Sequence, residues 1–177
     1  FSLINDGVPG LTFTSTTVTL GGGTLLGVRQ VALGEWTGDG LTDLIAVNGS
    51  ALSPAIKIVP GNGDGTFGAV QTIGLPGFSQ ADILTTGDVN LDGFLDLIAA
   101  QTGQVNINLQ LGNGAGGVIQ STTITNLTLN DISRIVALDI NQDGLTDLEL
   151  TNLANASLSL LLGDGSGALT LDWGKQE

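Results

Sequence analysis

The sequence predicts an all-β protein of propeller type, built from repeats of four short strands, with three whole repeats preceded by half of one. Three observations predict it. Two glycine-centred motifs recur along the chain, interleaved, on a shared period. The apolar residues between them follow the two-residue rhythm of strands. Gly supplies 28 of 177 residues, about 16% against a typical ~7%, and it bounds run after run together with Asn and Asp. No segment carries a capped helical pattern.

The first motif reads EWTGDGLTDLIAV (35–47), DVNLDGFLDLIAA (88–100) and DINQDGLTDLEL (139–150), with its glycines Gly40, Gly93 and Gly144 spaced 53 and 51 apart. The second reads PGNGDGTF (60–67), LGNGAGGV (111–118) and LGDGSGAL (162–169), with Gly61, Gly112 and Gly163 spaced 51 and 51. A period near 51 belongs to propeller blades or solenoid arrays. Residues 1–13, FSLINDGVPGLTF, look like the second motif without the first. One repeat domain therefore spans 1–177, divided as a half-repeat (1–20) and repeats at 21–74, 75–126 and 127–177.

The elements follow in order. The opening half supplies only a third and a fourth strand, near 1–4 and 11–19. In each whole repeat strand A precedes the acidic loop (28–34, 82–88, 134–139) and strand B follows it (42–48, 95–101, 146–152). B contains the short continuous apolar runs Leu44–Val47 and Leu97–Ala100, which suit strands buried on both faces. Strand C (55–60, 104–111, 157–162) alternates, as Val105, Ile107, Leu109 and Leu111 do with Asn106, Asn108 and Gln110. Strand D (66–73, 117–125, 168–173) follows a glycine turn. Those turns, at 61–65, 112–117 and 163–167, resemble phosphate loops only superficially. They lack the lysine and the following helix, so they read as hairpin turns.

Composition excludes several function classes. The chain has no His and no Cys, so it has no thiol nucleophile, no disulfide and neither of the commonest soft metal ligands. Its 17 acids against four bases give a net charge of −13, which repels nucleic acid and anionic lipid. No apolar run approaches the roughly 18 residues of a membrane-spanning helix. Residue 1 is Phe and no Met occurs, so the chain is expected to be a processed product or an excerpt of a longer one.

Nine of the 17 acids fall in three loops. Loop two reads Asp88-x-Asn90-x-Asp92-Gly93-x-x-Asp96, and loop three reads Asp139-x-Asn141-x-Asp143-Gly144-x-x-Asp147. Loop one departs, with Glu35, Thr37, Asp39 and Asp43. Oxygen donors at alternate positions wrap a hard cation, glycine at the sixth allows the sharp turn, and the seventh residue (Leu41, Phe94, Leu145) offers its carbonyl. An acid at the ninth closes the shell. The opening mimics an EF-hand, but the closing acid begins a strand rather than a helix. Turns alone do not require three carboxylates at one place, where each unpaired contact at ~4 Å repels by up to ~4 kcal/mol. Two to three Ca²⁺ sites are therefore expected, with Mg²⁺ disfavoured by its stricter octahedral shell. Low-affinity calcium sites fill in millimolar calcium, which points to an extracellular or cell-surface setting.

The series of A-strand, D-x-N-x-D-G-x-x-D, apolar B-strand and L-G-N-G-x-G resembles the FG-GAP/VCBS repeat family, whose blades are of the integrin-α type. The resemblance covers nearly the whole chain. It implies four-stranded antiparallel blades with calcium held in the A–B loops by Asp88, Asn90, Asp92, Asp96 and their counterparts. A closed propeller has 4–8 blades, however, and this chain has three and a half. The incomplete repeat is expected to seek a partner: another copy docked head to tail in a filament or ring, or other surface proteins. The function expected is a non-enzymatic structural or adhesive module, the alternative being a carbohydrate- or protein-binding propeller fragment. For glycans, Trp36 and Trp173 are the candidate stacking residues, although Trp36, inside a loop, is expected to pack. Asn48, Asn126 and Asn155 each open an N-x-S/T sequon.

Overall fold

The computed structural model describes residues 2–5, 13–17, 27–48, 54–125 and 131–172. Fourteen strands and no helix occur among them, and no helix is long and apolar enough to cross a membrane. β1 (Ser2–Asn5) and β2 (Phe13–Thr16) form an antiparallel pair. The remaining strands form three separate four-stranded sheets, each a simple antiparallel meander. Blade 1 holds β3 (Val28–Gly34), β4 (Asp43–Asn48), β5 (Ala55–Val59) and β6 (Gln71–Gly74). Blade 2 holds β7 (Ile83–Gly87), β8 (Asp96–Ala100), β9 (Ile107–Gly112) and β10 (Val118–Ile124). Blade 3 holds β11 (Ile132–Leu138), β12 (Asp147–Asn152), β13 (Ser157–Gly163) and β14 (Leu169–Asp172). Each sheet falls within one of the three sequence repeats.

Most strands begin and end within two residues of expectation. Two start later. β6 begins at Gln71 rather than at 66, because Thr66 closes a hydrogen-bonded turn and Phe67 makes only an isolated bridge to Gly61. β9 begins at Ile107 rather than at 104, because Gln104 N–H is spent on Gln101 carbonyl in a turn.

Register gives every blade two faces. The forward face looks to the next repeat and the rear face to the previous one. Ala32, Ile45, Val47, Ile56 and Ile58 on the forward face of blade 1 form one core with Leu84, Leu97 and Ala99 on the rear of blade 2. Ile83, Ile98, Ala100, Ile107 and Leu109 on the forward face of blade 2 form a second core with Ile135, Leu148, Leu150 and Leu161 on the rear of blade 3. The first strands β3, β7 and β11 neighbour one another, and Gln30 Oε1 accepts from Leu84 N–H across the first boundary at 3.1 Å. The two larger cores thus lie between blades, the arrangement of a propeller or stacked array, and a small third cluster, Ala46 and Val59 with Leu44, Phe67 and Val70, lies on the rear face of blade 1.

The continuous apolar runs of the B strands follow from this. β8 lies between two neighbours and is buried on both faces. The alternation in β9 is that of a strand with one wet face, yet the whole strand is buried. Its polar side is satisfied internally: Gln110 Nε2 donates to Asn108 Oδ1 and to Ser121 Oγ (2.8 Å), and Asn108 Nδ2 to Thr123 Oγ1 (3.3 Å).

Candidate metal centre

The three acidic loops join the first and second strands of the blades, β3–β4, β7–β8 and β11–β12. Loops two and three are near copies. Asp88 Oδ1 accepts from Asp92 N–H (3.2 Å) and Oδ2 from Gly93 N–H (2.9 Å). Asn90 Oδ1 accepts from the same Asp92 N–H at 3.3 Å, so the oxygens of the first and third positions converge on one amide. Asp92 Oδ1 caps Phe94 N–H (2.9 Å), and its Oδ2 accepts from Asn90 Nδ2 (2.9 Å). In loop three Asp139 and Asn141 converge on Asp143 N–H at 3.2 and 3.0 Å, Asp139 also takes Gly144 N–H, and Asp143 caps Leu145 N–H at 2.9 Å. Short polar side chains satisfying amides two to five residues on is the ordinary behaviour of Asx turns.

Loop one reaches a related shape by other means. The longer Glu35 accepts from Gly38 N–H (2.7 Å) and from Gly40 N–H. Asp39 Oδ1 caps Leu41 N–H (2.8 Å). Thr37 contributes no oxygen to the turn: its hydroxyl is buried without a hydrogen-bond partner, as is the neighbouring Trp36 indole N–H.

The ninth-position acids are placed differently from the others. Asp43, Asp96 and Asp147 are fully buried and tie two segments together. Asp96 Oδ2 accepts from Val89 N–H (2.8 Å), and its Oδ1 accepts from Gly112 N–H (2.8 Å). Asp43 does the same for Trp36 and Gly61 (2.9 and 3.0 Å), and Asp147 for Ile140 and Gly163 (3.2 and 2.9 Å). The carboxylate therefore clamps its own loop to the glycine turn of the same blade. Burial pushes the Asp96 carboxyl above its usual range against the two amide bonds, and the charges of Asp92 and Asp88 add to the rise. Sequence reasoning placed this residue in a cation shell and missed the clamp. The only sequence signal is the similar interval from each ninth-position Asp to the first glycine of the following turn, 18 residues in blade 1 and 16 in blades 2 and 3.

Glycine is required at two of these positions for different reasons. Gly40, Gly93 and Gly144 have φ of +79°, +84° and +88°, and a Cβ there would meet nothing. Their need is conformational. At Gly61, Gly112 and Gly163 a Cβ would collide with the carbonyl of Thr42, Leu95 or Thr146, and the need is space. The seventh-position side chains Leu41, Phe94 and Leu145 lie over the glycine turns at Gly63, Gly114 and Gly165.

Every donor in these loops is a hard oxygen, the ligand set of Ca²⁺ rather than of transition metals. Asp88 with Asn90, and Asp139 with Asn141, already aim oxygens at a common point. Among the described residues no three acidic side chains stand close enough together to enclose a cation as they lie, because the ninth acid is turned to the backbone. The residues thus fit a cation at the first, third and fifth positions, with Asp96 and Asp147 behind them.

The other sequence candidates separate cleanly. Trp36 is buried in the core between blades 1 and 2, as expected of a packing residue, and offers no sugar platform. Trp173 and Asn126 lie outside the described residues. Asn48 is buried at the end of β4, so its amide is closed to glycosylation in the folded chain; Asn155 is exposed in the β12–β13 turn, where it accepts from Ser157 Oγ at 2.6 Å. The three glycine segments are hairpin turns, closed by Asn62, Asn113 and Asp164 N–H on the carbonyls of Thr66, Gly117 and Ala168.

No curated protein matches the chain. The sequence profile of the FG-GAP-like repeat matches it twice, at residues 35–99 and 88–148, each match opening on one acidic loop and running into the next blade. Loop, clamp and four-stranded meander recur together over more than half the sequence, and the chain belongs to the FG-GAP-like repeat family.

Proposed function

We propose that this β-propeller-like module is an extracellular, non-catalytic structural or adhesive unit, stabilised by calcium in its acidic loops and able to associate with further copies of itself. The observation that carries the calcium reading is the convergence of the Asp88 and Asn90 oxygens, repeated by Asp139 and Asn141, in a blade where the buried Asp96 already bears the repulsion of its neighbours. A cation there would be held by Asp88, Asn90 and Asp92, by Asp139, Asn141 and Asp143, and in loop one by Glu35 and Asp39. It would supply positive charge that relieves this repulsion. FG-GAP repeats are typical of extracellular proteins, where calcium is millimolar, and this supports the location. The lack of His and Cys supports a non-catalytic role.

The test is thermal unfolding in calcium and in EDTA. Three sites at ten times their dissociation constant add about 4 kcal/mol, or roughly 10 °C in a chain of this size. Asp92→Ala should lose about a third of that gain. Equal melting temperatures in the two buffers would sink the calcium reading.

A further inference from the structure

The rear face of blade 1 and the forward face of blade 3 are the two kinds of face that mate between the blades. The rear face of blade 1 presents Val31 and Leu33 on β3, 53% and 66% exposed. By register Val31 corresponds to Leu84 and Ile135, which the preceding blade covers to 1% and 3%. The forward face of blade 3 presents Leu158, 67% exposed, at the position of the fully buried Ile107. Both faces therefore offer apolar side chains where blade-to-blade contacts bury them, on blade 1 at the β3 side of the face, beside Ala46 and Val59, which are already buried with Phe67 and Val70.

Their charges are opposite. On the rear face of blade 1, Lys57 pairs in register with Ala46, at the place that Asn108 takes in blade 2. On the forward face of blade 3, Glu149, Leu160 and Asp172 form one row across β12, β13 and β14, and Glu149 stands where blades 1 and 2 have Ile45 and Ile98. Arg134, paired with Thr151, is the only base of that face among the described residues, which leaves those residues net negative.

One close contact fits the same scheme. Gly34 and Gly87 end the first strands of blades 1 and 2, where a Cβ would strike Leu95 in the first case and come within 3.2 Å of Thr146 and Ala137 in the second. Blade 3 carries Leu138 there. Its counterpart on blade 1, in the place of Leu95, is the shorter and exposed Thr42.

We infer that the forward face of blade 3 docks on the rear face of blade 1 in a second copy of this chain, repeating the internal blade-to-blade contact. The inference rests on the self-association in the function proposed above and gives it a surface. The contact is heterologous, so it propagates as a filament or closes as a ring. Matching opposite charges across it favour a second copy over an unrelated partner.

The test is sedimentation velocity of the full chain in calcium over a range of concentrations. Wild type should grow in mass with concentration. Leu33→Arg and Leu158→Arg, both at exposed positions, should each weaken association about tenfold or more. Lys57→Glu and Glu149→Lys should each weaken it too, and an equimolar mixture of the K57E and E149K chains should recover it, since every docked pair again joins opposite charges. Recovery in the mixture also shows that both variants are folded. Wild type that stays monomeric up to about 1 mM, where even a millimolar dissociation constant is visible, overturns association altogether. Association that persists unchanged in Leu33→Arg and Leu158→Arg, or that does not return in the mixture, overturns this choice of faces alone.

Discussion

At the residue scale, two acids of one loop do different jobs. Asp92 is exposed and replaceable without calcium, whereas Asp96 is buried and holds two amides. Asp96→Asn sets an amide N–H against one of those donors and should cost roughly 1–3 kcal/mol in urea unfolding with or without calcium. Asp92→Ala should cost little in EDTA. The Asp96 carboxyl is raised mainly by burial, so in EDTA its contribution to stability is complete at pH below the ordinary carboxylate value and declines as pH rises through its own higher value. Asp164 runs the other way. Its bond from the Ser166 hydroxyl, with the Ser166 N–H beside it, holds its carboxyl below the ordinary value. That contribution is complete above the ordinary value and is lost as pH falls through the lowered one. Ser166→Ala should move the Asp164 titration upward in a carboxyl NMR experiment while leaving Asp96 in place. The sequence made the oxygen donors legible but not this division of labour. Alternate spacing reports which side chains share a loop, and a clamp depends on a turn 16 residues away.

At the element scale, the strands were readable because apolar period and glycine punctuation agree in every repeat. What stayed hidden depends on neighbours. Asn108 and Gln110 look like a solvated face and are buried, because a second blade lies against β9 and side chains of β10 satisfy them. Backbone demands within the loops are similarly uneven. The fourth loop position has positive φ in all three, filled by Gly38 (+83°), Leu91 (+57°) and Gln142 (+63°). Gln142 is exposed, so Gln142→Gly should relieve left-handed strain and raise stability by roughly 0.5 kcal/mol after the added freedom of the unfolded chain. The two classes of glycine should also separate. Gly93→Ala meets open space and pays only for its φ, about 1–2 kcal/mol. Gly112→Ala meets the Leu95 carbonyl and the Trp36 ring at 3.0 Å, and should cost more because backbone must move. Urea unfolding of both variants gives the order, and Gly93→Ala as the more damaging change would contradict this account.

At the scale of the whole molecule, stability resides in the joints. The two larger cores are shared between blades: Ile45 and Leu97 belong to one joint, Ile98 and Leu148 to the next, and only the small cluster of Ala46 and Val59 with Leu44, Phe67 and Val70 lies within a single blade. Such a chain behaves as a row of coupled units, whose ends are held by one neighbour and whose centre is held by two. Trp36 plugs the first joint and takes no part in the second. Trp36→Ala should therefore cost about 3–5 kcal/mol, a large share of the ~5–15 typical of a domain. The loss should also be uneven. In native-state hydrogen exchange the amides of β4 and β5 should lose protection most, because blade 1 has no other described joint. Those of β12 and β13 should lose least, because their core with β8 and β9 is untouched. Uniform loss across all three blades would mean that the stack unfolds as a single unit, with coupling across each joint stronger than the cores alone supply. Nothing in the repeat spacing distinguishes these outcomes, since spacing specifies equal blades and the inequality arises only from which faces are covered.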